Sequence, residues 1–381
     1  MFFFPFFCSA GIGRSGTFIA LDYLMEEARH TGTVDVFGCV NRMRKARLNM
    51  VQIEDQYEFI YLALVESIFL QDTHVSIEDY QSYYQNMIIQ NDQNDCSKTL
   101  LQQQFQELQE LEYPHTPEEF LETAKMKNNL NKTRVKNILA SDLYRPYLTP
   151  APDGQPRYIN AVYLPNHENP RNYIATQMPM AETVEDFWQM VCDVRSSTIV
   201  MLNDEDSMDK LVLQTCCRYW KDNGDDEFGH ITVHNSEVQI KEDFIERTLF
   251  IHNNETGKQM SVKQYQYIAW PAGSPVPTNV VSFLHMIEEI SQYQLQQQQQ
   301  QQPQKTPMVV HCLNGAERSG LFCVVCAVLS LLVKERMINI PYVVRTMQLP
   351  RPQLLTSVEQ YQFCHTAVME YIDRFLTYEN L

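Results

Sequence analysis

Two stretches of this chain carry a cysteine and an arginine separated by five residues, with a serine directly after the arginine. The two sets are Cys8, Arg14 and Ser15, and Cys312, Arg318 and Ser319. The backbone N–H groups of such a loop and the N-terminus of a following helix offer positive potential to an oxyanion. That potential favours the thiolate, which can attack phosphorus and form a covalent intermediate, while the guanidinium binds two phosphoryl oxygens. The spacing therefore indicates phosphate binding and cysteine-based phosphoryl transfer, with the serine donating a hydrogen bond to the departing thiolate.

The two stretches belong to an internal repeat. Residues 8–67 align without gaps onto residues 312–371, at an offset of 304 positions. Beyond the loop, Arg47, Gln56 and Phe59 of the first copy match the same residue types in the second. The chain thus contains the last third of one kind of domain twice, and only the second copy is preceded by enough residues to complete that domain.

The surrounding pattern predicts an α/β fold. The runs with the length and residue types of strands are residues 198–202, 229–234, 238–240, 247–251 and 307–310. After each loop the apolar period becomes that of a helix, and residues 321–333 predict a buried helix that is too short to cross a bilayer. Residues 102–111 predict a helix with a polar face, and the glutamine-rich residues 292–304 predict an elongated surface loop.

These features resemble the cytoplasmic part of a receptor-type protein tyrosine phosphatase. Residues 157–161 read RYINA, which is similar to the family's DYINA motif. Residues 173–188 read YIATQMPMAETVEDFW, close to its YIATQGPL…TxxDFW stretch, and residues 270–272 read WPA in the place of the mobile WPD loop. The resemblance covers nearly the whole chain. It implies a twisted mixed sheet flanked by helices, with the phosphate loop between a strand and a helix.

The resemblance also implies a domain organisation. Residues 1–70 resemble the C-terminal remnant of a membrane-proximal phosphatase domain, and residues 71–85 a linker. Residues 75–376 resemble a complete membrane-distal domain that contains the glutamine-rich loop. The first copy matches an active domain at its phosphate loop and at Gln52, although Phe7 replaces the usual histidine. It lacks the remainder of the sheet, and a phosphate loop needs a rigid scaffold.

Four positions of the second copy depart from the pattern of an active phosphatase. Ala272 stands where the resemblance expects an aspartate that protonates the leaving tyrosine oxygen. Val135 replaces the tyrosine that stacks on the substrate ring, and Thr356 replaces the glutamine that positions the hydrolytic water, which is Gln52 in the first copy. Within the phosphate loop, Glu317 occupies the position at which the first copy has a glycine. A carboxylate about 4 Å from a phosphate charge would oppose binding by roughly 4 kcal/mol, and the sequence leaves open whether Glu317 turns inward.

Composition limits the possible partners. The net charge of −17 argues against broad binding of nucleic acid or anionic membranes. The ten cysteines lack a disulfide pattern, and Cys323 and Cys326 are interpreted as core thiols, so neither a metal nor another cofactor is expected. The first seven residues contain no basic side chain, which argues against a signal peptide and predicts a cytoplasmic chain. The resemblance implies that the native protein is a single-pass membrane receptor with this part inside the cell.

The sequence thus predicts a pseudophosphatase that binds phosphotyrosine-containing proteins or other phosphatase domains in signalling. Two alternatives stay open at this point. One is an active phosphotyrosine hydrolase that works through a cysteinyl-phosphate at Cys312 or Cys8. The other is a redox sensor that acts through Cys312.

Overall fold

The computed structural model describes residues 10–69, 73–89, 98–111, 118–204, 210–213, 215–301 and 306–376. The chain forms two compact units, residues 1–74 and residues 75–381. Cys8, the cysteine of the first repeat, lies outside the described residues.

The described part of the first unit contains three helices: α1 (Arg14–Thr31), α2 (Val36–Ala46) and α3 (Glu54–Phe69). Their apolar faces share a core that includes Ala20, Leu24, Val40, Ile60 and Leu64. Ala20 and Leu24 are four positions apart, as are Ile60 and Leu64, which places each pair on one face of its helix.

The second unit contains both helices and strands. Its helices are α4 (Ile77–Ile88), α5 (Leu100–Glu110), α6 (Glu122–Lys125), α7 (Lys127–Leu130), α8 (Val184–Val194), α9 (Lys210–Leu213), α10 (Val280–Gln301), α11 (Glu317–Glu335), α12 (Ile340–Gln348) and α13 (Val358–Tyr371). A 3-10 turn (Glu118–Leu121) precedes α6, and a π-helical turn (Ile372–Leu376) follows α13.

Eight strands of the described residues form one mixed sheet. They are β2 (Ala161–Leu164), β3 (Tyr173–Gln177), β4 (Thr198–Met201), β5 (Asp225–Phe228), β6 (Ile231–Ile240), β7 (Phe244–Asn253), β8 (Gln259–Tyr267) and β9 (Met308–Cys312), in the order β2-β3-β9-β4-β8-β7-β6-β5. The central strands β3, β9, β4 and β8 pair in parallel, and the outer strands pair antiparallel. Two short strands, β1 (Val75–Ser76) and β10 (Met337–Ile338), pair separately. The α/β fold predicted from the sequence is confirmed.

Strand β9 lies in the middle of this sheet. All five of its residues are buried, because β3 and β4 flank it on both edges. A continuous apolar run is what a parallel strand covered on both faces requires. The strand delivers Cys312 to its carboxyl end, and the buried helix α11 begins five residues later. This helix contains the run 321–333 that the sequence assigned to a buried helix.

Two segments differ from their sequence interpretation. Helix α4 occupies much of the expected linker 71–85, because Ser76 accepts a hydrogen bond from Asp79 N at its start and its Tyr80 side chain is fully buried. The interpretation of residues 292–304 as a loop is wrong as far as Gln301, where α10 ends. Glutamine is a good helix former, and a helix already nucleated in its buried part extends at low cost. Residues 302–305 lie outside the described part of the chain.

The polar-faced helix expected at residues 102–111 is present as α5. Thr99 and Gln102 form a reciprocal capping box at its N-terminus. Leu101, Phe105 and Leu108 point into the core, and the glutamines between them face outward or lie at the boundary.

Candidate active site

The loop between β9 and α11 is held close to the neighbouring strand β3. Cys312 pairs with Gln177 across the two strands, and Met178 N donates to Cys312 O at 2.7 Å. Gly315 has φ of +69°, and a Cβ placed there would lie 2.5 Å from Gln177 N. Only glycine can follow this path without moving the strand. The Cys312 side chain is buried, with 2% of the residue exposed.

A buried arginine supports the same loop from behind. Arg351 has no exposed surface and donates to Gly315 O at 3.1 Å and to Asn160 Oδ1 at 2.7 Å. Burial lowers the pKa of Arg351 to about 10. In the first repeat, Arg47 donates to Ala10 O at 3.0 Å. The repeat comparison matched these two arginines, but their role in holding the loop backbone emerges only from the structure.

Arg318 binds the backbone of a second loop, which begins at Trp270. One terminal nitrogen, Nη1, donates to Leu202 O at 3.0 Å and to Trp270 O at 3.2 Å, and Nη2 donates to Pro271 O at 2.8 Å. The guanidinium carbon also lies 4.9 Å from the centre of the Trp270 ring. Burial lowers the pKa of Arg318, while neighbouring negative groups oppose that shift. Within the described part of the chain, these bonds engage three of the five guanidinium N–H groups, so the Nε hydrogen and the second Nη2 hydrogen can serve a ligand.

The segment that Arg318 holds contains Ala272. Trp270 is fully buried and its indole N–H donates to Ser274 O at 3.1 Å, which closes the loop on itself. Ala272, Cys312 and Arg318 line a common cavity of about 490 Å³. The structure therefore brings a methyl group to the position at which the resemblance expects a carboxylate.

The thiol and two loop amides converge on a residue that the sequence analysis did not single out. Cys312 Sγ donates to Asn314 Oδ1 at 3.3 Å, and the same oxygen accepts from Ala316 N at 3.0 Å and from Glu317 N at 3.2 Å. Ser319 Oγ is buried and has no hydrogen-bond partner among the described residues. Ser319 therefore makes no hydrogen bond to the sulfur in this resting structure, and its donation to a departing thiolate stays a prediction. A difference between the two repeats could have pointed to Asn314, because the first copy has Ala10 at the same position.

Glu317 and Thr356 lie on the rim of the same cavity. Glu317 is exposed and lines the cavity together with Asp204, so two carboxylates border it. Gln360 accepts from Thr356 N at 3.2 Å and donates to Pro275 O at 3.2 Å. In the first repeat, Gln56 accepts from Gln52 N at 2.8 Å in the equivalent arrangement.

His311 is a structural residue. It is fully buried, and its Nε2 lies 2.7 Å from the hydroxyl oxygen of Tyr219. Burial lowers the pKa of His311 to about 3. The imidazole is therefore neutral at ordinary pH and bridges β9 to the aromatic core.

Val135 lies near the loop but not on the cavity. Arg134 N donates to Gln177 Oε1 at 3.0 Å, and Gln177 Nε2 donates to Lys132 O at 2.9 Å. These bonds tie the segment to the end of β3. Val135 itself is half-buried and lies outside the set of described residues that line the cavity.

Comparison with known proteins identifies the family. The model of the protein-tyrosine phosphatase family matches residues 6–66 and 129–370, which together include both loops. The chain belongs to the protein tyrosine phosphatase family. The resemblance inferred from the motifs is confirmed, and each matched stretch includes nearly all of one copy of the repeat.

Receptor-type tyrosine phosphatases are among the relatives of this chain. It is 32% identical to mouse receptor-type tyrosine-protein phosphatase alpha, over 98% of this chain and 43% of that protein. It is 32% identical to rat receptor-type tyrosine-protein phosphatase epsilon, over 98% of this chain and 52% of that protein. It is 31% identical to chicken receptor-type tyrosine-protein phosphatase U, over 97% of this chain and 25% of that protein. The chain thus spans about half or less of the length of these relatives. None of the helices in the described ranges is long and apolar enough to cross a membrane.

The structure describes only part of the phosphate loop of the first repeat. Arg14 is exposed at the first position of α1, whereas Ser15 behind it is buried. Gln52 lies beside Gln56, as in the second repeat, but Cys8 lies outside the described residues.

Proposed function

We propose that residues 75–376 form a pseudophosphatase domain, which binds phosphotyrosine-bearing proteins or other phosphatase domains and turns substrate over little or not at all. The observation that carries this proposal is the pairing of Arg318 with the loop of Ala272. The loop is already fastened to the guanidinium by the carbonyls of Trp270 and Pro271, yet it presents a methyl group to the cavity. Loss of a positioned general acid typically costs about 10²–10⁴-fold in rate.

Binding of a phosphate group is supported by the groups that remain. Arg318 keeps two N–H groups for an anion, and the backbone of the loop after Cys312 leads directly into α11. The carboxylates of Glu317 and Asp204 border the cavity and oppose a dianion. We therefore expect recognition of phosphotyrosine to be weak and to depend on contacts with the surrounding peptide.

The cellular setting follows from the relatives. Receptor-type phosphatases match nearly the whole of this chain, so we propose that the chain is the intracellular part of a receptor, with residues 1–70 as the end of a preceding phosphatase domain. The proposed role is regulatory, through docking of the domain onto phosphorylated partners or onto a catalytic neighbour.

Two measurements test the proposal. Incubation with an aryl phosphate and with a phosphotyrosyl peptide should release phosphate no faster than the Cys312→Ser variant does. Calorimetry should show that the phosphorylated peptide binds more tightly than its unphosphorylated form, and Arg318→Met should remove that difference. Steady turnover that Cys312→Ser abolishes would establish the active-hydrolase alternative instead, and equal binding of both peptides would refute phosphotyrosine recognition.

A further inference from the structure

Asn314 sits inside the loop that follows Cys312. Its side-chain oxygen accepts three hydrogen bonds, from Cys312 Sγ at 3.3 Å, Ala316 N at 3.0 Å and Glu317 N at 3.2 Å. The loop path does not itself require this side chain, because the first repeat has Ala10 at the same position and the same positive φ at the following glycine.

Two of these donors, the amides of Ala316 and Glu317, are groups that an incoming phosphate would need. Loop amides next to the nucleophile's sulfur are the groups that stabilise a bound oxyanion. Here the amides of Ala316 and Glu317 donate to an oxygen of the protein, and the thiol does the same. An amide oxygen and a phosphoryl oxygen are both hydrogen-bond acceptors, so one position cannot hold both.

A second observation agrees with this arrangement. Ser319 Oγ has no exposed surface and no hydrogen-bond partner among the described residues, although it lies one position after Arg318 in the first turn of α11. A buried hydroxyl without a partner is costly. The sulfur bonds to Asn314, and Ser319 Oγ makes no hydrogen bond with it.

We propose that Asn314 is an internal competitor for the anion and sets the affinity of this cavity for phosphate. Its Oδ1 occupies the position of a phosphoryl oxygen, and an anion binds only after this side chain rotates away. The inference rests on the proposed function of the cavity as a phosphate-binding site, and it names the residue that regulates that binding.

The test compares the whole chain with two variants at this position. Asn314→Ala installs the residue of the first repeat and frees both amides, whereas Asn314→Asp keeps the acceptor and adds a negative charge. Titration with tungstate and with a phosphotyrosyl peptide should show binding about tenfold tighter for Asn314→Ala than for the parent, because two hydrogen bonds no longer have to be broken. Asn314→Asp should bind more weakly than the parent. Leu313→Ala is the matched control, since it shortens a neighbouring side chain without touching these bonds.

Amide hydrogen exchange provides an independent readout. The amides of Ala316 and Glu317 should exchange faster in Asn314→Ala and stay protected in Asn314→Asp. If the parent binds the anion and Asn314→Ala binds no more tightly, the competitor role is wrong while phosphate recognition stands. If neither protein binds, both the competitor role and the proposed recognition of phosphotyrosine are overturned. If Asn314→Ala does not fold, the anion affinities of the parent and of Asn314→Asp are compared instead. Equal affinities of these two proteins would refute the inference.

Discussion

Restoring activity to the second unit should require three of the departures to be repaired together. The changes are Ala272→Asp, which supplies the proton donor, and the pair Glu317→Gly and Thr356→Gln, which rebuilds the site for hydrolytic water. We expect the pair to be coupled, because the two side chains would lie in contact beside the phosphate loop.

The first repeat gives the geometry of that contact. A Cβ added at Gly13 would lie 2.9 Å from Gln56 Nε2 and 3.5 Å from Gln52 Oε1. The first distance requires the flexible end of Gln56 to shift, and the second is ordinary van der Waals contact. The second repeat has Glu317 at the position of Gly13, so a glutamine at position 356 would lie against Glu317 and against Gln360, the match of Gln56. Neighbours of this kind show coupling energies of about 0.5–3 kcal/mol, which corresponds to roughly a 2- to 150-fold departure from additivity in rate.

The general acid contributes to a different step. Ala272 lies in a loop whose preceding carbonyls already contact Arg318, so an aspartate there needs little rearrangement to reach the cavity. We expect Ala272→Asp to accelerate the departure of a tyrosine-like leaving group by about 10²–10⁴-fold. Without the water site, the reaction should then stop at the cysteinyl-phosphate.

Rapid-mixing kinetics separates these effects. Ala272→Asp alone should give a burst of phenol that approaches the enzyme concentration, followed by slow turnover. Addition of both Glu317→Gly and Thr356→Gln should raise the steady rate by more than the product of their separate effects. Ala272→Asn is the matched control, since it has the size of aspartate but no acidic proton. The reasoning is refuted if the triple variant with asparagine turns over as fast as the one with aspartate, or if the Glu317 and Thr356 changes act additively.

The remaining predictions concern stability. Arg351→Met leaves buried loop acceptors without a donor and should lower the unfolding free energy by about 2–5 kcal/mol in urea titrations; a loss well below 1 kcal/mol would contradict its supporting role. Gly315→Ala should lower the unfolding free energy by at least about 3 kcal/mol, because strand backbone lies where its Cβ would be. Gly273→Ala should lower it by only about 1–2 kcal/mol, because Gly273 has φ of +77° but no atom within 4 Å of an added Cβ. Equal losses at the two glycines would refute the steric argument. Burial lowers the pKa of His311 and of His365 to about 3 each. Between pH 6.5 and pH 3, the unfolded chain therefore binds protons that the folded chain does not. The free energy of unfolding should fall with falling pH by up to about 1.4 kcal/mol per pH unit for each histidine. His311→Gln should reduce that slope, and an unchanged slope would show that this histidine is not buried in its neutral form.

Much of the fold was accessible from local pattern. The five buried residues of β9, the long apolar helix α11 and the capped helix α5 all carry signals within a few residues of each other. The glutamine run misled the interpretation, because polar composition indicates exposure to solvent but does not distinguish a loop from an exposed helix. Whether α10 would continue through it depended on the buried residues before the run, which nucleate the helix.

The sequence by itself determined the family, the phosphate loop and the departures at Ala272, Val135, Thr356 and Glu317, since each of these is a residue type at a fixed place in a motif. The tertiary structure alone decided what those residues touch. Arg318 meets the carbonyl of a residue 48 positions away, and Arg351 meets Asn160 across 191 positions. Asn314 is close to Cys312 in the chain, yet its oxygen accepts three bonds only because the folded loop turns the thiol and two amides toward one point. Hydrogen bonds depend on distance and direction in space, and a linear order of residues specifies neither until the chain has folded.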